Sequence, residues 1–210
     1  MIKRLVSEQL WEGEYGNNYT DRSRLGKKEV TSRRGNLEKC LLKADKISSS
    51  LEIGSNIGYN EIALRELFPE IEMEVIEVNK HAADECKKIP KVKVNNCSLF
   101  DYELSRQFDL SLVHGILIYI EDEELHKAYE LLYKSSKRYI LIIEYYNPTP
   151  LCVNNNNPER ATFVKRDFAG EMMDLYKDLQ LLDYGFIYHR DGYYPMDDFN
   201  WFLLEKGNHK

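Results

Sequence analysis

The stretch Leu51-Glu52-Ile53-Gly54-Ser55-Asn56-Ile57-Gly58 decides how this chain is read. It closes an apolar, strand-like run that begins at Ser48, and a helical pattern follows from Asn60. Glycines at 54 and 58 let the backbone turn sharply and let a ligand come close. The helix after such a turn offers free N–H groups at its start. Working outward, strands are expected over 48–53, 73–78, 91–94, 108–113 and 139–144, and helices over 60–68, 80–89 and 121–135. Pro69 helps stop the first helix. Asn79 is placed to cap the second, and acids open the third, as the helix dipole favours. Strand–helix alternation implies a parallel, doubly wound sheet. The end breaks the rhythm, with a helix over 168–175, a strand over 179–189, a turn at Arg190-Asp191-Gly192 and a strand over 199–206. Two strands with no helix between them run close to antiparallel. The expected fold is therefore α/β and Rossmann-like. Its seven-stranded sheet is mostly parallel, with an antiparallel C-terminal pair and helices on both faces.

Residues 1–35 lie outside this alternation and carry Trp11, Tyr15 and Tyr19 among glycines and charges. They read as an N-terminal arm or cap over the site, and 36–210 as the main domain. The chain has 210 residues, 43% hydrophobic and 30% charged, enough to bury a core and stay soluble. Its net charge of −6 argues against a dedicated nucleic-acid binder. Its apolar runs, such as Tyr139–Ile143, are strand-length, far short of the roughly 20 residues a membrane span needs. The first residues lack the apolar region of a signal peptide. Cys40, Cys86, Cys97 and Cys152 form no CxxC and read as reduced thiols of a cytoplasmic protein. The histidines form no metal-binding pattern, so no metal is expected.

Two cofactor classes use a strand–glycine turn–helix. A nicotinamide fingerprint needs glycine at 54, 56 and 59, but 56 is Asn and 59 is Tyr. The acid-x-GxGxG pattern of S-adenosylmethionine sites matches at Glu52, Gly54 and Gly58 and departs only at Asn56. Asparagine tolerates left-handed backbone angles better than most residues. Ser55 shares the turn. Glu77, 23 residues after Gly54, ends the second strand just before Val78, where a carboxylate can accept both ribose hydroxyls of a nucleoside. Cys97-Ser98-Leu99 follows the third strand and offers an apolar slot and a hydroxyl to adenine. His114 follows the fourth strand, where a topological switch point lines the ligand crevice.

With these residues in view, the chain resembles the pseudaminic acid biosynthesis-associated methylases, within the class I S-adenosylmethionine-dependent methyltransferases. The resemblance runs over Trp11-Glu12-Gly13-Glu14-Tyr15-Gly16 with Tyr19 and Asp21-Arg22, over Leu51–Gly58 and over His114-Gly115-Ile116-Leu117-Ile118. It is most specific at Glu144–Pro150, Lys165–Glu171, Asp183-Tyr184-Gly185-Phe186, and Asp197-Asp198 leading to Trp201–Lys206. One departure stands at Leu151–Arg160, where the family carries a Tyr-Arg-Gly string. The resemblance implies that Trp11, Tyr15, Tyr19 and Arg22 cap the cofactor near its methionine end. It implies an acidic amino sugar, or its nucleotide-activated form, as the methyl acceptor. In keeping with that, Arg22 can pair with a carboxylate, and an aromatic face suits a sulfonium.

Methyl transfer from a sulfonium is an in-line displacement, so the protein mainly positions the nucleophile. A base helps where the acceptor is a hydroxyl, and His114, Glu144 and Tyr146 are the candidates at strand ends. Tyr145, Tyr146, Asn147, Arg160 and Arg166 are candidates for the acceptor, because they lie on a long post-strand loop of about twenty residues, well beyond usual connections. Three alternatives stay open: a methyltransferase of another small metabolite or natural product, a cofactor-binding module without turnover, and a nicotinamide enzyme.

Overall fold

A computed structural model describes residues 6–24, 26–153 and 161–207. Strands β1 (Ser49–Ile53), β2 (Glu72–Ile76), β3 (Val92–Asn95), β4 (Phe108–His114) and β5 (Ser136–Glu144) are parallel. Among the remaining strands, β6 (Leu151–Val153) and β7 (Phe163–Lys165) form a hairpin apart from the main sheet. β8 (Leu179–Phe186) and β9 (Asn200–Lys206) close the sheet antiparallel, in the order β3-β2-β1-β4-β5-β9-β8. The chain reverses its winding between β1 and β4, so the crevice lies at their carboxyl ends, where Gly54 and His114 emerge.

The helices are α1 (Val6–Glu12), α2 (Glu14–Arg22), α3 (Lys27–Cys40), α4 (Tyr59–Leu67), α5 (Lys80–Cys86), α6 (Asp122–Ser135) and α7 (Phe168–Leu175). They cover two separate cores, one on each face of the sheet. Leu125, Ala128 and Leu132 of α6 and Phe168 and Met172 of α7 meet Ile140 and Ile142 on one face. Leu37 and Cys40 of α3 and Leu64 of α4 meet Leu141 and Ile143 on the other. Successive strand residues point to opposite faces, so a doubly covered strand must be apolar throughout. β5 is so over Tyr139–Ile143, all of them buried.

Three expectations change. The boundary after residue 35 falls inside α3, because this helix buries Ser32, Gly35 and Asn36 and shows no apolar stripe to betray it. A Cβ on Gly35 would come within 2.4 Å of the Tyr194 ring, so that close packing is what the glycine permits. The loop after β5 is partly structured, by the hairpin of β6 and β7. The strand expected to reach residue 189 ends at Phe186, so the last connection runs from Ile187 to Phe199, with a turn closed by Asp191 N–H on Tyr188 O at 3.0 Å. Among the described residues, no helix is long and apolar enough to cross a membrane, and no group of acids, histidines or cysteines is arranged to hold a metal ion.

Candidate functional site

The turn after β1 is built as the sequence suggests. Gly54 has φ 78° and Gly58 φ 86°, and Asn56, at φ 48°, holds the left-handed conformation that favours glycine. A Cβ on Gly54 would lie 2.3 Å from Cδ1 of Ile116, so only glycine fits. Gly58 does not face the cavity. Its missing Cβ makes room for Ile89 at 2.2 Å and Cys86 Sγ at 2.9 Å, a packing role where a binding one was expected.

Glu77 joins this turn to the next. Its carboxylate accepts the backbone N–H of Asn56 at 2.7 Å and of Asn79 at 2.8 Å. It is 8% exposed, and burial pushes its pKa up to about 7 against those two hydrogen bonds. Asn79 also caps α5, accepting from Ala82 N–H at 2.9 Å. Its amide donates to Trp11 O at 3.0 Å and Asn17 Oδ1 at 2.9 Å, and Thr20 Oγ1 donates to Asn56 Oδ1 at 3.1 Å. So α1 and α2 are fastened to the two turns that carry the acid.

Together these elements enclose a cavity of about 830 Å³. Of the expected cofactor residues, Trp11, Tyr15, Tyr19, Arg22, Glu52, Gly54, Ser55, Asn56, Glu77, Val78, Cys97, Ser98, Leu99 and His114 line it. Trp11 meets Tyr15 and Tyr19 edge-on, both at 5.1 Å, and Tyr119 at 4.9 Å. Its indole N–H is buried without a hydrogen-bond partner among the described residues. Glu52 lies beneath the turn beside Glu61; burial, and in Glu52 also the neighbouring acid, raise both pKa values. Such a pair is stable when one carboxyl keeps its proton and donates to the other.

The acceptor side departs further from expectation. Tyr145 lines the cavity, stacked on Phe199 at 4.4 Å and on Phe163 at 5.4 Å. Tyr146 does not; it turns outward, 38% exposed, against Phe202, because alternate residues leaving a strand point to opposite sides. Asn147 is outside the cavity too, its amide spent on Thr149 O at 2.6 Å. Glu144 is no base at the cavity: one oxygen accepts the N–H of Ile116 and of Leu117, both at 2.8 Å, shaping the turn after β4. Its burial raises its pKa to about 8. Arg166 sits away from the cavity, paired with Asp122 at 2.6 Å and Glu171 at 2.7 Å, so its charge is consumed in joining α6 to α7. Arg160 lies outside the described residues.

His114 lines the cavity, its ring edge-on to Phe199 at 4.9 Å. Arg33 Nη1 lies 3.1 Å from its Nδ1 and donates to Asn60 Oδ1 at 2.9 Å, while Arg33 Nε donates to Glu29 at 3.1 Å. Sequence reasoning missed Arg33, Asn60, Phe163, Met196, Asp197 and Phe199, all of which line the cavity. Only the Asp197-Asp198 pair carried a signal, in the resemblance. Nothing in the sequence distinguishes Arg33 from other surface charges, since α3 shows no apolar stripe.

No family model matches the chain, and no curated protein matches its sequence. Solved structures match its fold. The N-methyltransferase NodS from Bradyrhizobium japonicum WM9, bound to S-adenosylhomocysteine, is 17% identical at TM-score 0.62, with 95% of this chain and 98% of that one covered. Magnesium protoporphyrin IX methyltransferase from Synechocystis PCC 6803, with bound S-adenosylmethionine, is 8% identical at TM-score 0.66, covering 98% and 100%. A 1,6-didemethyltoxoflavin N1-methyltransferase from Burkholderia thailandensis is 10% identical at 0.65, covering 91% and 83%. At these identities the likeness is one of architecture, and it shows that the chain has the Rossmann-like fold of the class I methyltransferases.

Proposed function

We propose that this chain is an S-adenosylmethionine-dependent methyltransferase of a small polar acceptor. The observation that carries the reading is the pairing of the Gly54–Asn56 turn with the buried Glu77 carboxylate, in a cavity large enough for two small molecules. The residues fit the cofactor. Glu77 would take the ribose hydroxyls, Leu99 and Ser98 the adenine, and Trp11 has a buried N–H left over for an acceptor atom. Arg33, with Arg22 at the rim, supplies positive charge for the methionine carboxylate. The bound cofactor supplies an electrophilic methyl on sulfur. The chain's own part is to cover that methyl with α1 and α2, exclude water and hold the acceptor against the Tyr145–Phe199 wall. We place this activity in the cytoplasm.

The family resemblance supports an acidic amino sugar of the nonulosonic type, or its activated form, as acceptor. A planar acceptor is the second reading, favoured by the stacked Phe163, Tyr145 and Phe199 rings. Calorimetry with S-adenosylhomocysteine and with NAD tests the cofactor, and binding of NAD alone overturns the proposal. A thermal-shift screen of sugar acids, nucleotide sugars and planar heterocycles, run with S-adenosylhomocysteine, separates the acceptors. Transfer of labelled methyl to a hit distinguishes an enzyme from a module without turnover.

A further inference from the structure

His114 is the one histidine at the switch point, and its surroundings fix where its proton sits. Arg33 Nη1 lies 3.1 Å and Asn60 Nδ2 3.3 Å from Nδ1 of His114. A guanidinium only donates. The Asn60 amide is oriented by its other partners: Nδ2 donates to Glu52 Oε1 at 2.6 Å, and Oδ1 accepts from Arg33 at 2.9 Å. Turned over, the amide would set its oxygen against a carboxyl oxygen and its NH2 against a guanidinium. Both neighbours of Nδ1 are therefore donors, and Nδ1 must carry the lone pair. The proton of the neutral ring is then on Nε2, the nitrogen without a protein partner among the described residues, on a side chain that lines the cavity.

We propose that His114 serves the site as a neutral Nε2–H hydrogen-bond donor and not as its base, with Arg33 and Asn60 as the positioning residues that lock this tautomer. The inference rests on the methyl-transfer reading above and deepens it. An N–H at Nε2 has no lone pair with which to take a proton. The acceptor molecule therefore presents an oxygen or nitrogen lone pair to His114, beside the Tyr145 and Phe199 rings. As the new bond to carbon forms, the carbon–sulfur bond of the sulfonium breaks and its electron pair stays on the neutral thioether; the proton of the nucleophilic atom stays on the methylated product until that product reaches solvent and gives it up there. The charged groups around the ring agree. Arg33 faces it from α3, with Glu29 behind; Glu52 of β1 and Glu61 of α4 lie beyond Asn60; and Asp197 lines the cavity from the last connection. Burial and the Arg33 charge hold His114 well below the ordinary histidine range.

Long-range proton–nitrogen NMR of the full chain, free and with S-adenosylhomocysteine, reads the ring directly between pH 5 and 8. The expected result is an unprotonated Nδ1 and a protonated Nε2 throughout, with no titration of His114 in that window. Asn60→Ala and the milder Arg33→Lys, each checked for folding by circular dichroism, should bring a mixture of tautomers and a titration returning toward pH 6, a change that a merely structural role would not cause. An Nδ1–H ring or an imidazolium in the parent chain near neutral pH overturns the proposal, as does an unmoved His114 spectrum in both variants. Absence of S-adenosylhomocysteine binding in the parent chain overturns the methyl-transfer reading instead, and leaves the tautomer measured.

Discussion

Replacing Glu77 by Gln should flatten the pH dependence of the protein's stability while weakening its hold on the cofactor. The side chain keeps its shape and loses its charge. In the folded chain burial raises the Glu77 pKa from 4.5 to about 7. A group whose folded pKa lies above its unfolded one binds more protons when folded, so its contribution to stability falls as pH rises from about 4.5 through 7. At 1.36 kcal/mol for each pH unit, the full change is on the order of 3 kcal/mol, an upper bound. A glutamine does not titrate, but its NH2 has no lone pair and must face one of the two N–H groups that Glu77 accepts, which costs about 1–3 kcal/mol. Glu77→Gln should therefore start about that far below the parent near pH 5 and gain on it by up to about 3 kcal/mol by pH 8. In a chain of this size that is roughly 6–12 °C in melting temperature. Binding should weaken. The ribose hydroxyls would lose charge-assisted hydrogen bonds of about 1–3 kcal/mol, a factor of roughly 5–150 in affinity. Urea unfolding at pH 5 and 8, with calorimetry of S-adenosylhomocysteine at pH 8, measures both. A difference from the parent that is the same at pH 5 and pH 8 would mean that burial does not raise the Glu77 pKa, and unchanged affinity would remove Glu77 from the site.

Gly54→Ala sets a methyl 2.3 Å from Ile116 Cδ1 at a φ of 78°, and should cost about 2 kcal/mol or more in denaturant titrations and abolish S-adenosylhomocysteine binding. Deleting residues 1–24 should leave a folded domain with at least tenfold weaker binding by calorimetry. Deletion through residue 40 should prevent folding by circular dichroism, because Leu37 and Cys40 are 1% and 0% exposed. Arg166→Ala should cost only about 1 kcal/mol of stability and leave cofactor and acceptor binding unmoved in a thermal-shift assay, since its charge is already paired. From pH 6.5 to 8.5 the parent chain should lose melting temperature, as raised carboxyls such as Glu144, near 8, give up their protons.

The sheet, and the turn and acid that line one side of the cavity, were legible because each rests on local pattern. Strand period, the Gly54 turn, the Asn79 cap and the acid of Glu77 are all set by residues near one another in sequence. The acceptor half was not, because it is assembled from distant pieces. Arg33 reaches His114 from a helix without an apolar face, and Phe163 and Phe199 meet on either side of Tyr145. Arg166 shows the limit from the other direction. Sequence makes it a candidate for the acceptor, and only tertiary structure reveals the two acids that occupy it. Tyr145 and Tyr146 were indistinguishable in sequence, and the strand's alternation sends one inward and the other to the surface.

The fastening of α1 and α2 to the turns around Glu77 bears on the order in which reactants come and go. Thr20, Asn17 and the Trp11 carbonyl bridge the cofactor half from above, while the acceptor half is bounded by the separate segment of Met196, Asp197 and Phe199. On the proposed reading, a nucleoside held beneath those bridging bonds would be the slower of the two ligands to leave. The expected kinetic signature is a compulsory sequence: the sulfonium enters first, methylated product departs next, and the spent thioether leaves last. S-adenosylhomocysteine should then compete with S-adenosylmethionine at every acceptor concentration.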